Sequence, residues 1–474
     1  MSTGPDTTQR HGTCRRFLHS GAGMLVVSLA LLVLVFAYYA ATYKTVSRFV
    51  RIWDGERILY CDFTRHYYAT GREILARGLP AEGFYYSAFF ALCLVPISRL
   101  ALPQATHVWT GLQLAASALL VVLPGLHLGR QGRRDYYLYL VLALLSAPMV
   151  HNFRWGQVSA ALTVCILGAL LLYLRGWKTS AGALLALATS IKFYPGLLAV
   201  YFLVKREFRL LAAFVVLTAA LLVAVPIATL GGHGFVRFQR AVVEALQEAR
   251  PDIEINVNSQ YFPAVMLRYR NMAHALRTPA PKDGKYRPTM REERRYRDLI
   301  ARHETVIARR DWDLGPLRIA GLGIFAVNLV LAHALVRAKC EDCDLAAFAL
   351  LLLSLPFVVE TMWPHYFVYL PFCQVVCYRL LRDDSSCRAR RRISMALFCL
   401  SALLASTVLF NLLGNWIAYS WSGCLFWSNT LLLLGLHLQG IPRILAARRR
   451  QRGAGNVPQP ADSIGQAAPQ RAGD

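Results

Sequence analysis

Apolar residues in this chain gather into runs of roughly twenty, the length that crosses about 30 Å of hydrocarbon, rather than alternating as in strands. The runs lie at about 22–43, 105–128, 136–151, 157–174, 178–192, 193–205, 208–230, 315–337, 344–361, 364–382, 393–413 and 415–440. They predict an all-α, polytopic integral membrane protein of about twelve transmembrane helices. With the amino terminus cytoplasmic, alternation places Arg130, Arg133 and Arg134 inside, followed by Arg175 and Lys178, then Lys205, Arg206 and Arg209. Arg337, Lys339, Arg379, Arg382, Arg388 and the run Arg390–Arg392 fall on the same side, as the positive-inside pattern requires. The stretch from Tyr86 to Leu102 is apolar too, but it is short and carries Pro96 and Arg99. Counting it as a span would invert every later loop, so it reads as an interfacial or re-entrant piece. A second break is expected at Lys192-Phe193-Tyr194-Pro195, where proline cannot continue a helix.

Three regions follow from this pattern: a cytoplasmic segment 1–21, a transmembrane body 22–440, and a basic, Gly-, Pro- and Gln-rich tail 441–474 expected to be disordered. Two long segments leave the body on its outer side, about 44–104 and 231–314. The second opens at Gly231-Gly232-His233-Gly234, continues in a helical-looking stretch from Phe235 to Arg250, and ends in a charge-dense stretch from Lys282 to Asp313.

Composition supports the membrane reading, with 56% of the 474 residues hydrophobic and only 17% charged. The formal charge of +25 does not call for nucleic acid, because the basic residues sit in short loops between apolar runs. There they suit orientation in the bilayer and contact with anionic lipid or phosphate. The eleven cysteines are scattered and suggest no disulfide framework. Cys340 and Cys343 have metal-ligand spacing without a second pair, so they read as solvated thiols.

The unusual polar residues converge on the outer side of this topology. Asp62 lies in Tyr60-Cys61-Asp62-Phe63-Thr64-Arg65-His66-Tyr67-Tyr68, among rings, a histidine and an arginine. Such a carboxylate suits proton abstraction from a hydroxyl; pairing with Arg65 or capping of the next helix is the alternative. Asn152, Arg154 and Gln157 fall in an outer turn, Lys192 ends an outward-running span, and His365 begins an inward-running one after Trp363-Pro364. The cations are candidates for a lipid phosphate, or simply interfacial anchors of their helices. His66, one turn from Asp62 if the stretch is helical, is placed to tune the base or touch the acceptor. Asn152 and Gln157 would bind a polar ligand or fix the loop, and Tyr86 and Trp363 carry rings able to stack on one. Asn258, Gln260 and Tyr261 are weaker candidates for the acceptor side.

These residues resemble a known pattern. Asp62-Phe63, Tyr67-Tyr68, Gly71, Leu75, Gly78, Tyr85-Tyr86 and Leu94-Val95-Pro96 are similar to the first outer loop of glycosyltransferase family 87. So are Asn152-(x)3-Gly156-Gln157-Val158, Ala181-Gly182 and Ile191-Lys192-Phe193-Tyr194-Pro195, with weaker agreement around Trp363–Tyr366. The chain has Tyr86-Ser87-Ala88 where the family often has Tyr-Pro-Pro, and Phe193-Tyr194 separates Lys192 from Pro195. The resemblance implies a GT-C-like fold and transfer of a sugar, mannose favoured, from a polyprenyl-phosphate donor. It implies Asp62 as general base, Lys192, Arg154 and His365 on the donor phosphate, and His66, Asn152, Gln157, Tyr86 and Trp363 around sugar or acceptor. The acceptor would be a glycolipid or cell-envelope glycan on the outer face of the plasma membrane, both termini being cytoplasmic. The partners expected are that donor, that acceptor and membrane lipids, with no cofactor and no metal. A transporter or flippase of a lipid-linked or polar solute is the alternative; it calls for mid-span charges and paired broken helices, of which the sequence shows few.

Overall fold

The computed structural model describes residues 21–43, 60–129, 133–256, 258–277, 314–339, 342–382, 387–413 and 416–455. Among them 87% are helical and none forms a strand. The charge-dense stretch 282–313 and the first segment 1–20 lie outside the described residues; of the tail 441–474 expected to be disordered, residues 441–455 are helical and the rest lies outside the described residues too.

In chain order come α1 (Gly21–Tyr43), a π-helical turn (Phe63–Tyr67), α2 (Tyr68–Arg77), α3 (Ala88–Ser98) and α4 (Leu102–Gly129). Next are α5 (Arg133–Leu144), α6 (Ala147–Trp155), α7 (Ser159–Leu174) and α8 (Lys178–Ile191). A 3-10 turn (Tyr194–Leu198) leads into α9 (Ala199–Val204), α10 (Phe208–Ala219) and, through a π turn, α11 (Val225–Ile255). The rest is α12 (Phe262–Arg277), α13 (Gly315–Ala338), α14 (Cys343–Val358), a 3-10 turn (Pro364–Tyr369), α15 (Leu370–Arg382), α16 (Arg388–Leu404), α17 (Thr407–Leu413), α18 (Trp416–Trp421) and α19 (Cys424–Gly455).

Among the described residues, four stretches are long and apolar enough to cross a membrane: Leu102–Gly125, Phe208–Arg250, Gly315–Ala338 and Cys424–Ala447. The other apolar runs form shorter helices. α14 is the core of the body: every residue from Cys343 to Phe357 is buried except Asp344. A helix apolar on all sides must be covered on all sides. Its few polar atoms are tied to neighbours, Ser354 Oγ accepting from Asn328 Nδ2 (2.8 Å) and Leu353 O from Asn429 Nδ2 (2.6 Å).

Two expected spans are broken where the apolar pattern shows nothing. The run 136–151 divides at Leu145-Ser146, and 393–413 divides at Ala405-Ser406. The breaks face each other. Ala147 N donates to Ala405 O (2.8 Å) and Thr407 N to Leu145 O (2.8 Å), forming a single antiparallel bridge. Each break thus satisfies backbone groups that the other exposes, which an apolar environment demands. One consequence corrects the sequence reading: Asn152 and Arg154 ride on the last turns of α6, and the turn itself is only Gly156–Val158.

The other expected breaks are present. The helix α8 ends at Ile191, with Lys192 extended (φ −131°, ψ 140°). The stretch Tyr86–Leu102 holds α3, whose 11 residues reach only about 16 Å, half the hydrocarbon thickness. Gly231 (φ 72°, ψ 162°) breaks the helix between the apolar rod and the amphipathic stretch beyond it.

The basic loop residues are less solvated than loop counting assumes. Arg379 is fully buried, its Nη2 2.8 Å from Asp342 Oδ1 and its Nε 3.8 Å from Asp135 Oδ2. Arg382 donates to the same Asp135 (2.9 Å), which is itself wholly buried. Cys343 is buried and disulfide-bonded, not a solvated thiol. Removing one member of a buried ion cluster strands the others. Asp135→Ala is therefore expected to cost about 3–5 kcal/mol, seen as a large fall in melting temperature in detergent. The exposed Glu73–Arg77 pair is the control; Glu73→Ala should cost less than about 1 kcal/mol.

Candidate active site

The segment that carries Asp62 is held by its own rings. Phe63 stacks on Trp109 (centroids 4.7 Å apart), and Tyr67 meets Tyr86, Phe90 and Trp109 edge-on at 5.2–5.6 Å. The π-helical register of Phe63–Tyr67 turns Phe63 and Tyr67 inward, both fully buried. Such single π turns are frequent at functional sites. Ser87 caps α3 by accepting from Phe90 N (3.1 Å) and donates to Ser190 O, tying the segment to the end of α8.

That segment lies on the turn after α6. Tyr60 N donates to Arg154 O (3.0 Å), and Trp109 Nε1 to Gly156 O (2.9 Å). Gly156 has φ +69°, and a Cβ there would come within 2.9 Å of Tyr60 Cδ1 and 3.1 Å of Phe63 Cβ. Only glycine meets both demands at low cost. The turn is clamped by two buried amides. Asn152 donates through Nδ2 to Gln113 Oε1 (2.9 Å) and accepts through Oδ1 from Ala160 N (3.2 Å). Gln113 Nε2 in turn donates to Gln157 O (2.6 Å). Asn152 thus spends both ends of its amide on the framework. Gln113 and Trp109 escape a sequence search because they sit inside an apolar run like any packing residue.

The clamp presents the Gln157 side chain to the centre of the site. Its Nε2 donates to Asp62 Oδ2. Its Oε1 faces Tyr67 Oη (2.9 Å), Tyr86 Oη (3.1 Å) and Lys192 Nζ (3.4 Å), and the two tyrosine hydroxyls are 2.6 Å apart. Lys192 is buried, its ammonium over the rings of Tyr366 (4.1 Å) and Tyr86 (4.7 Å). Such contacts stabilise a cation away from water. Tyr366 stacks on Tyr194 (4.9 Å), closing the cage with a residue just past the Lys192 break.

Of the candidates read from sequence, Asp62, Gln157, Tyr86 and Lys192 thus form one connected network. His365 borders it. Its ring stacks on that of His151 (5.5 Å) and meets Tyr366 edge-on (5.0 Å). Both His365 nitrogens are buried without a hydrogen-bond partner among the described residues. His66 Nδ1 donates to Glu82 O (2.7 Å), since a carbonyl only accepts. Arg154 and Trp363, both half-buried, lie in the same region of the chain as Gln157 and His365. Gln260 is further away in role, its amide donating to Ser420 O (2.8 Å) and accepting from Phe426 N (3.2 Å) as a brace between α12 and α19. His151, Tyr67 and Tyr366 were not singled out by sequence, because a buried ring and a site ring look alike there.

Burial pushes the Asp62 carboxyl above its ordinary range, opposed by the Gln157 hydrogen bond and the charges of His66, Lys192 and Arg65. Burial likewise holds the Tyr67 and Tyr86 hydroxyls well above their usual value, so both stay protonated. A half-buried carboxylate, a caged cation and neutral hydroxyls around one amide form a site for moving a proton beside a developing negative charge.

Residues 84–363 match the family model of glycosyltransferase family 87. The chain belongs to that family. It is a glycosyltransferase, and no curated protein matches it. The family 87 match contains Tyr86, Gln157, Lys192 and Trp363, whereas Asp62 and His66 precede it and His365 follows it by two residues. Asp62 is therefore joined to the family 87 region by its contact with Gln157.

Gly156→Ala is expected to destabilise this glycosyltransferase by about 1–2 kcal/mol, from the positive φ and the contact with Tyr60. Activity should fall further than stability, because the turn carries Gln157. Melting temperature and turnover measured on one preparation separate the two effects.

Proposed function

We propose that this glycosyltransferase is an inverting enzyme that moves a sugar, mannose favoured, from a polyprenyl-phosphate donor to an acceptor hydroxyl. The observation that carries the reading is that Asp62 and Lys192 meet at opposite ends of one amide, Gln157. Asp62 takes the acceptor proton as that oxygen attacks the anomeric carbon from the face opposite the phosphate. The bond from the anomeric carbon to the phosphate oxygen breaks, its electron pair leaves with the polyprenyl phosphate, and the configuration inverts. The departing phosphate needs positive charge but no proton, and Lys192, 3.4 Å from Gln157 Oε1, supplies it. His365, whose ring nitrogens lack partners among the described residues, supplies a hydrogen bond to the same phosphate, and Arg154 supports it from the end of α6. Asn152 keeps to the framework. His66, Tyr86 and Trp363 line the sugar and acceptor side.

The acceptor is a glycolipid or cell-envelope glycan, and the reaction takes place on the outer face of the plasma membrane. About twelve helical passages with both termini cytoplasmic give this orientation, which agrees with the loop charges. Thiol labelling of intact cells with a membrane-impermeant reagent tests it. A cysteine introduced by Arg72→Cys, at an exposed position of α2, should label without permeabilisation, and exposed Cys387 only after it. The reverse pattern places the site inside.

Asp62→Asn keeps shape and removes the base. Sugar transfer from polyprenyl-phosphate donors, followed by mass spectrometry in lipid nanodiscs, should fall by about a hundred- to ten-thousand-fold. The fold should hold, because a carboxylate that burial disfavours is removed. The sign of the pH dependence follows from the raised carboxyl: the base works only when ionised. Activity is therefore present above the raised value and is lost as pH falls through it, with the acid limb above the ordinary carboxylate range near about 4. Wild-type turnover in Asp62→Asn would remove Asp62 as base.

A further inference from the structure

Gln157 has no freedom left to bind substrate through its acceptor atom. Its Oε1 already faces Tyr67 Oη, Tyr86 Oη and Lys192 Nζ within 3.4 Å, and its Nε2 is against Asp62. The amide also has only one workable orientation. Reversed, it would set an NH2 group against the Lys192 ammonium and a carbonyl against the Asp62 carboxylate. Its backbone is fixed as well, the N–H donating to Asn152 O (2.9 Å) and the carbonyl accepting from Gln113 Nε2 (2.6 Å).

We propose that Gln157 is the positioning residue of this enzyme: it holds Asp62 Oδ2 so that Oδ1 takes the acceptor proton, and it sets the spacing between base and Lys192. This rests on the reading of Asp62 as the base, and it moves Gln157 from the sugar contacts that sequence alone offers. The hydrogen bond is made to the ionised carboxylate and keeps it ionised, lowering its proton affinity against the effect of burial. The remaining groups that face Asp62 are Cys61, Arg65 and His66 from its own segment, Tyr67 and Tyr86 beside it, Lys192 from the end of α8 and Tyr366 from the turn before α15. None of the others donates a hydrogen bond to its carboxylate among the described residues.

The test uses full-length protein in lipid nanodiscs, with polyprenyl-phosphate mannose as probe donor and extracted membrane glycolipid as acceptor. Two variants are compared, Gln157→Leu and the near-isosteric Gln157→Glu, the second standing in if the first does not fold. The Asp62 titration is read by infrared difference spectroscopy, its carboxyl band assigned by its loss in Asp62→Asn. In Gln157→Leu that titration, and the acid limb of kcat/KM, should move up by roughly one to two pH units, the worth of one charge-assisted hydrogen bond. In Gln157→Glu a second carboxyl beside Asp62 should move it the same way. Donor KM should change little in Gln157→Leu, whereas in Gln157→Glu the new carboxylate faces Lys192 and should raise it. An Asp62 band that titrates as in wild type in the folded variants, together with a raised KM, would overturn the proposal and return Gln157 to substrate binding. Full turnover by Asp62→Asn would instead overturn the base reading beneath it, so the two failures are distinguishable.

Discussion

A carboxylate and an ammonium can stay among aromatic rings only if each is met by a charge or a strong dipole, and here both are met across one amide. Asp62 and Lys192 come from segments far apart in the chain, one from the first outer segment and the other from the break after α8. Neither would keep its charge in this setting alone, since burial penalises the ionised form of both types of group. Gln157 gives the carboxylate a donor and the ammonium an acceptor, and the rings of Tyr86 and Tyr366 give the ammonium two π faces. The charged centre thus remains polar inside an apolar shell, where a dipole or charge acts more strongly than in water.

The surrounding architecture can be read as what is required to hold that one amide still. Gln157 follows a glycine that alone tolerates the turn, and its carbonyl is fixed by Gln113, which is itself fixed by Asn152. Tyr60 and Trp109 pin the outer segment to the same turn by backbone hydrogen bonds, so base and amide move together. Beneath it, α6 starts at a helix break whose exposed backbone groups are satisfied by the matching break before α17. A helix that ended one turn later would place Asn152 and Gln157 on another face. Rigidity of this kind matters for a base, because misplacement by about 1 Å can cost about a hundredfold in rate.

The sequence showed the large features because they depend on composition and period. Runs of apolar residues revealed the helical membrane body, and Pro195 marked the break at Lys192. The family was legible too, in Asp62-Phe63, Gly156-Gln157 and Lys192. Contacts were not. The breaks at Ser146 and Ser406 leave no trace in hydropathy, because one serine within an apolar run barely lowers its mean. Loop counting placed Arg379 on a side of the bilayer but not among its partners, since nothing in the local sequence shows Asp135 and Asp342 closing on it. Asn152 and Gln157 could be named but not distinguished: a framework amide and a site amide are the same residue type, and only their partners separate them.

The closeness of Lys192 to the base network raises a conflict that the geometry moderates. A cation beside a base keeps it ionised but also makes it a weaker proton acceptor, while the same cation must be strong enough to steady a departing phosphate. Burial acts on Asp62 in the opposite sense and raises its affinity for a proton. The carboxyl is thereby brought nearer to the range in which a base is both ionised and effective at neutral pH. Placing an amide between the charges, in place of a direct ion pair, leaves Lys192 with donors to spare, since an ammonium has three and only one faces Gln157. A direct Asp62–Lys192 pair would have used both groups on each other. In the mechanism proposed here, the interposed glutamine lets one site hold a base and an anion-binding cation together without either neutralising the other.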